Sequence, residues 1–193
     1  MTRLILASGS PQRKKLLKIL GVPFVVKVSR VREHNKIKTS CSALVQKNAL
    51  LKARDVAASV KSGIVIGADT LVYGGRKRII GKPRDLKDAK RILRVLFAKP
   101  HWVYTGVAVI DSATGKTLVG YEKTKVFMVP LTDMEINRYH SKISPLDKAG
   151  GFDIEGGGSV FIHRIEGCYS NVIGLPIAKL AGMLKKMGIS MYA

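Results

Sequence analysis

Near the amino terminus, Ser8-Gly9-Ser10-Pro11-Gln12-Arg13 joins two hydroxyl side chains to an arginine across a turn that opens a helix. Arg13, Leu16, Leu17 and Leu20 follow the spacing i, i+3, i+4, i+7, so a charged residue shares the inward face with leucines. Such an arginine snorkels, pairs with an acid or meets a ligand. Its place in the first turn, where backbone N–H groups are free, suits an anion. The serine hydroxyls have the donors a phosphate oxygen needs, and Gly9 leaves room for its approach. A capped helix with a snorkelling arginine explains the same residues, and the spacing does not choose between the two.

Lys52 repeats the anomaly inside the apolar stripe Cys41, Val45, Ala49, Val56 and Val60. An ammonium group is rarely buried without a partner, so Lys52 either reaches solvent along its stem or aims at an anion. Asp69 comes after the β-branched run Ile64-Val65-Ile66-Gly67-Ala68, at the carboxyl end of an expected strand, where α/β sheets place ligands. Lys82, in Gly81-Lys82-Pro83, sits in a loop and on its own reads as solvated. The histidines His34, His101, His140 and His163 show no zinc spacing.

These positions need elements to hold them. Residues 4–7 read as a buried strand, and Ser10 caps a helix that begins at Pro11 and stops at Gly21. A second strand is expected over 22–28, a basic connection over 29–39, and a long helix from Ser40 towards Ser59. Then come a strand over 64–68, a helix over 85–97, two long strands over 102–110 and 117–129, and a helix from Thr132. A glycine-rich segment over 150–158, a short strand over 160–162 and a helix opened by Pro176 complete the order. Lys87, Lys90, Arg91 and Arg94 lie opposite the apolar stripe of their helix and read as solvated surface. Alternating helices and strands argue for an α/β fold in one domain, 1–193, with two lobes.

The 193 residues carry 34 Lys and Arg against 13 Asp and Glu, a net charge of +21, which favours polyanionic ligands. Cys41 and Cys168 make no CxxC pair, and no stretch approaches the roughly 20 apolar residues of a membrane span, so a reducing, cytoplasmic setting is expected. Nucleic-acid binding competes for the charge. It is disfavoured because aromatics are only 6%, the basic residues are spread along the chain and no binding motif is recognisable. A non-catalytic nucleotide sensor is a third reading.

Gly67-Ala68-Asp69-Thr70 and Gly81-Lys82-Pro83, with the amino-terminal motif, resemble the Maf family of nucleotide pyrophosphatases. Lys52-Ala53-Arg54, Tyr104-Thr105-Gly106, Asp147-Lys148-Ala149-Gly150 and Asn171-Val172-Ile173-Gly174-Leu175-Pro176 continue the resemblance in the family's order. It implies a mixed, twisted sheet flanked by helices, two-lobed with a central cleft, as in the inosine triphosphate pyrophosphatases. It also implies metal-dependent hydrolysis of a nucleoside triphosphate between its α and β phosphates, a cytoplasmic setting and often a homodimer. The role implied in the cell is removal of unwanted nucleotides.

Thr70 resembles the branch acting on dTTP and UTP; the branch acting on 7-methyl-GTP usually carries glutamine there. The chain departs from the pyrimidine branch at Glu155, where a glutamine is usual, and at Asp153, a further acid. An ionised carboxylate only accepts hydrogen bonds where an amide also donates, so Glu155 bears on base choice or on the metal. On this resemblance Arg13, Lys52 and Lys82 hold the triphosphate, with Ser8 and Ser10 adding donors. Glu33 and Asp69 coordinate Mg²⁺ or Mn²⁺, and Asp69 orients or deprotonates the attacking water.

Overall fold

A computed structural model describes residues 3–36, 39–75 and 79–191. Its strands are β1 (Leu4–Leu6), β2 (Phe24–Val26), β3 (Ile64–Tyr73), β4 (Ile79–Ile80), β5 (His101–Asp111), β6 (Thr117–Met128) and β7 (Ile162–Glu166). The helices are α1 (Pro11–Lys18), α2 (Cys41–Ala57), α3 (Leu86–Phe97), α4 (Asp133–Lys142), α5 (Tyr169–Ile173) and α6 (Ile177–Lys186). The described strands form one sheet in the order β2-β1-β3-β5-β6-β7, with β4 beside β3. β1 is parallel to both β2 and β3, whereas β3–β4 and β6–β7 are antiparallel, so the sheet is mixed as expected.

The chain divides into two compact units. The first comprises Met1–Thr70, Thr105–Glu122 and Gly174–Ala193; the second comprises Leu71–Tyr104 and Lys123–Ile173. Strands β3, β5 and β6 each continue from one unit into the other.

Local chemistry sets the helix starts. Ser10 accepts the Arg13 amide at the head of α1, where Pro11 needs no donor, and Ser40 accepts the Ala43 amide at the head of α2. Thr132 and Glu135 form a reciprocal capping box on α4. In the first unit, Ile5, Val65, Ala108 and Ile110 of the sheet, with Ala7 just after β1, pack against Ala49, Ala53 and Val56 of α2. The core of the second unit is more aromatic, with Leu93 and Leu96 of α3, Ile136 and Tyr139 of α4, Phe152 and Phe161.

Several boundaries differ from the sequence expectation. β2 covers only Phe24–Val26, and β7 lies at Ile162–Glu166 because Gly157–Val160 instead forms a 3-10 turn. That turn is held by Asp153, whose Oδ1 accepts the Gly158 N–H at 3.0 Å. β3 runs on to Tyr73, so Asp69 and Thr70 lie within the strand rather than after it. The helix α5 was not expected. Of the α3 cations read as solvated, Arg91 and Arg94 are exposed but paired, with Asp88 and Asp133, and Lys90 is half-buried against Asp133.

Candidate functional site

Pleating decides what Asp69 and Thr70 can reach, because successive residues of a strand point to opposite faces. Asp69 shares its face with Val65 and Gly67, the side on which α2 packs. Thr70 faces the other way, towards Arg13 of α1 and Gly174. One strand thereby serves two polar clusters in the first unit.

The first cluster depends on how closely α2 lies on the sheet. A Cβ added at Gly67 would collide with the Ala49 carbonyl, and one at Gly106 with that of Val45. Only glycine permits this approach, which brings Asn48 and Lys52, one turn apart on α2, down to the level of Asp69. Lys52 is buried, and its ammonium donates to Asp69 Oδ1 at 2.8 Å and to the Ala68 carbonyl at 3.2 Å, and pairs with Glu33 Oε1 at 2.6 Å. An ammonium has three N–H donors, so each has a partner. The Asp69 carboxylate is 9% exposed and that of Glu33 55%, so Glu33 is the partner able to exchange with solvent or substrate.

Asn48 completes the arrangement, and sequence reading did not single it out. Its Nδ2 donates to Asp69 Oδ2 and to the His34 carbonyl, each at 2.9 Å, while its Oδ1 accepts the His34 amide at 2.9 Å. One buried amide therefore orients the acid on β3 and pins the connection bearing Glu33. The signal was available: Asn48 is a polar residue four positions before Lys52, on the same helix face.

In the second cluster, Arg13 Nε donates to the Gly174 carbonyl at 2.9 Å, Nη1 to Ser8 Oγ at 3.2 Å and Nη2 to Thr70 Oγ1 at 3.0 Å. The Thr70 hydroxyl also shares a 3.0 Å hydrogen bond with Thr105, and Gly174 adopts φ +124, which places its carbonyl for Arg13. Burial pushes the guanidinium pKa below its ordinary value, and the carboxylates of Asp69 and Glu33 oppose that shift. The inward Arg13 is thus neither snorkelling nor idle. It is fixed by three elements, with N–H groups left over from its five. The serines are more occupied than expected: Ser10 Oγ donates to Gln12 and accepts the Arg13 amide, and Ser8 Oγ accepts the Ser10 amide. Gly9 is not required for space, since a Cβ there would make an ordinary 3.5 Å contact with Val28.

Lys82 and Glu155 belong to the second unit, and both are exposed. The Gly150 amide donates to the Gly81 carbonyl at 3.0 Å, which ties the Gly81-Lys82-Pro83 loop to the Asp147-Lys148-Ala149-Gly150 segment. Asp153 is structural: it accepts the Tyr139 hydroxyl at 2.8 Å, and its amide donates back to that oxygen at 2.9 Å.

Glu33 and Asp69 are the oxygen donors suited to a hard divalent cation, and Mg²⁺ is commonly held by one or two carboxylates plus substrate phosphates. Among the described residues, no group of three or more His, Cys, Asp and Glu gathers as a metal cage.

Comparison with known proteins adds a separate line. The family model described as Maf-like protein matches residues 3–187. A dTTP/UTP pyrophosphatase of Bacillus anthracis (strain CDC 684 / NRRL 3495) is 47% identical over 189 residues, covering 98% of this chain and 97% of the relative. Another protein so named, from Bacillus cereus (strain ATCC 10987 / NRS 248), is 47% identical over 98% of this chain and 92% of its own length. In fold, the chain is similar to the Staphylococcus aureus Ham1 protein, with a TM-score of 0.52, 15% identity, and coverage of 96% of this chain and 100% of that one.

Proposed function

Because the chain belongs to the Maf-like protein family, we propose that it is an enzyme that hydrolyses nucleoside triphosphates, dTTP and UTP foremost, to the monophosphate and pyrophosphate. The observation that carries the reading is the Lys52 ammonium held between the carboxylates of Asp69 and Glu33 at 2.8 and 2.6 Å. A site built only to bind a triphosphate, which carries about four negative charges, has no use for two acids facing it.

In this proposal, one water adds across the α–β anhydride. Its oxygen joins one phosphorus, the bridging oxygen leaves with the other, and a proton is released. Asp69, its carboxylate oriented by Asn48 and Lys52, accepts a hydrogen bond from that water and takes its proton. Glu33 and Asp69 would hold Mg²⁺ or Mn²⁺, which when bound neutralises triphosphate charge. Arg13, already positioned by Thr70, Ser8 and Gly174, has remaining N–H groups for phosphate oxygens. Lys82 adds a second cation, and Ser8 and Ser10 line the approach. Lys52 takes up a phosphate only by giving up Glu33, the more exposed of its partners. Thr70 bears on base choice through Arg13 rather than by its own donors, and Glu155, an exposed acceptor, is the residue proposed to modify it.

Among the described residues no helix is long and apolar enough to cross a membrane. The proposal includes a cytoplasmic setting and a homodimer, the second of which light scattering reads directly.

The test is pyrophosphate release from dTTP, UTP, CTP, GTP and 7-methyl-GTP, with Mg²⁺, with Mn²⁺ and with chelator. Release from dTTP and UTP that needs added metal is the expected result. Preference for 7-methyl-GTP would refute the pyrimidine assignment, undiminished release in chelator would refute the metal, and no release from any substrate would refute the enzyme.

A further inference from the structure

One face of the sheet in the second unit gathers aromatic and cationic side chains that lie far apart in sequence. Val72, Val103 and Val126 point into the core with Leu93 of α3 and Ile136 of α4, so their neighbours along each strand occupy the opposite face. On β5 and β6, Lys123 lies 5.2 Å and Lys125 5.7 Å from the centre of the Trp102 ring. Lys125 also lies 5.0 Å from the centre of the Phe127 ring, and the Arg164 guanidinium of β7 lies 4.1 Å from it. Tyr104 extends the face to β3 by an edge contact with Tyr73 at 6.4 Å. Lys123 and Arg164 are exposed, and Trp102, Lys125 and Phe127 are half-buried.

Four strands at about 4.8 Å spacing make this platform roughly 14 Å wide. Its composition selects the occupant. Three cations stand against one acid, Glu166, paired with Arg164 at 3.1 Å. A second copy of the same face would set these cations against each other. An acidic protein would answer the charge but would leave the row of ring faces unused. A polyanion that also carries flat apolar rings answers both, because bases stack on aromatic side chains while the backbone meets the cations.

We propose that this face binds single-stranded nucleic acid, independently of the hydrolytic site, with Trp102 and Phe127 as stacking platforms and Lys123, Lys125 and Arg164 as phosphate contacts. The net charge of +21 supplies the long-range attraction.

Trp102 is the chain's only tryptophan, so its fluorescence reports on this face alone. The full chain is titrated with a 20-nucleotide oligo(dT) lacking terminal phosphates, in chelator, and followed by Trp102 quenching and by anisotropy of labelled oligonucleotide. Quenching on binding is expected, with an affinity that falls about 20-fold between 50 and 200 mM salt if three phosphates are engaged. In the double variant Lys123→Gln/Lys125→Gln that fall should shrink to about 2.5-fold, the value for the one remaining contact, with binding at least about tenfold weaker at about 50 mM salt and pyrophosphate release from dTTP unchanged. Circular dichroism confirms that it folds. Absence of binding, or binding without quenching, would overturn the proposal. So would binding unchanged in the double variant, duplex held as tightly as single strand, or concentration-dependent self-association that the same substitutions abolish.

Discussion

Lys52→Met separates a positioning role from simple burial. The side chain is buried, and its ammonium serves Asp69, Glu33 and the Ala68 carbonyl. Breaking a buried ion pair by removing one partner costs about 3–5 kcal/mol, because the remaining charge is left uncompensated. Glu33 is 55% exposed and rehydrates, which discounts its share to under about 1 kcal/mol. Asp69 is 9% exposed and keeps the Asn48 hydrogen bond and the coulombic attraction of Arg13, but loses its paired cation, so it carries most of the penalty. The expected loss is about 3 kcal/mol, a fall in Tm of about 6–12 °C for a chain of this length. Adding Asp69→Asn should recover about 2 kcal/mol, since a neutral amide beside Asn48 tolerates the loss of the cation. Chemical unfolding followed by circular dichroism, on the four proteins of the cycle, measures the coupling. Pyrophosphate release from dTTP should drop at least about 100-fold in Lys52→Met, because both carboxylates lose their fixed position. Strictly additive stabilities with near-normal turnover would refute the arrangement: Lys52 would then be a buried stem and nothing more.

Gly67→Ala should shift α2 off the sheet, since its Cβ meets the Ala49 carbonyl; we expect a stability loss of about 3 kcal/mol with loss of turnover, measured by thermal unfolding and pyrophosphate release. Arg13→Lys keeps the charge but cannot reach Ser8, Thr70 and the Gly174 carbonyl together; KM for dTTP should rise about tenfold, and an unchanged KM would remove Arg13 from the substrate. His101 is buried, both its ring nitrogens lack a hydrogen-bond partner among the described residues, and burial lowers its pKa to about 4. A depressed histidine stays neutral in the fold while the unfolded chain takes up a proton, so its contribution is intact above about 6.5, is lost as pH falls towards 4, and amounts to about 3 kcal/mol. His101→Phe, which preserves the edge contact with Phe152, should flatten stability between those values in pH-resolved unfolding; an unchanged pH profile would count against the assignment.

Much of the first cluster was visible before the structure. Lys52 stands out because an ammonium in an apolar stripe demands an explanation, and Asp69 because an acid after a β-branched run does. Their pairing was not visible. It depends on the depth to which α2 sinks onto β3 and β5, set by glycines at Gly67 and Gly106 that periodicity does not register as contacts. Arg13 was legible as an inward charge, but its three partners come from Ser8, Thr70 and Gly174, up to 161 positions away. The expected end of β3 was wrong because an acid reads as a strand breaker when its partner on another element is unknown.

Most element types, the caps at Ser10 and Ser40, and the mixed α/β class follow from local spacing and side-chain chemistry, which the chain carries wherever it folds. Which carboxylate Lys52 neutralises, that Thr70 serves Arg13, and that Trp102, Lys125 and Arg164 share one face follow from strand order and helix depth. Those are long-range outcomes, because a contact between distant residues exists only once the backbone between them has been placed.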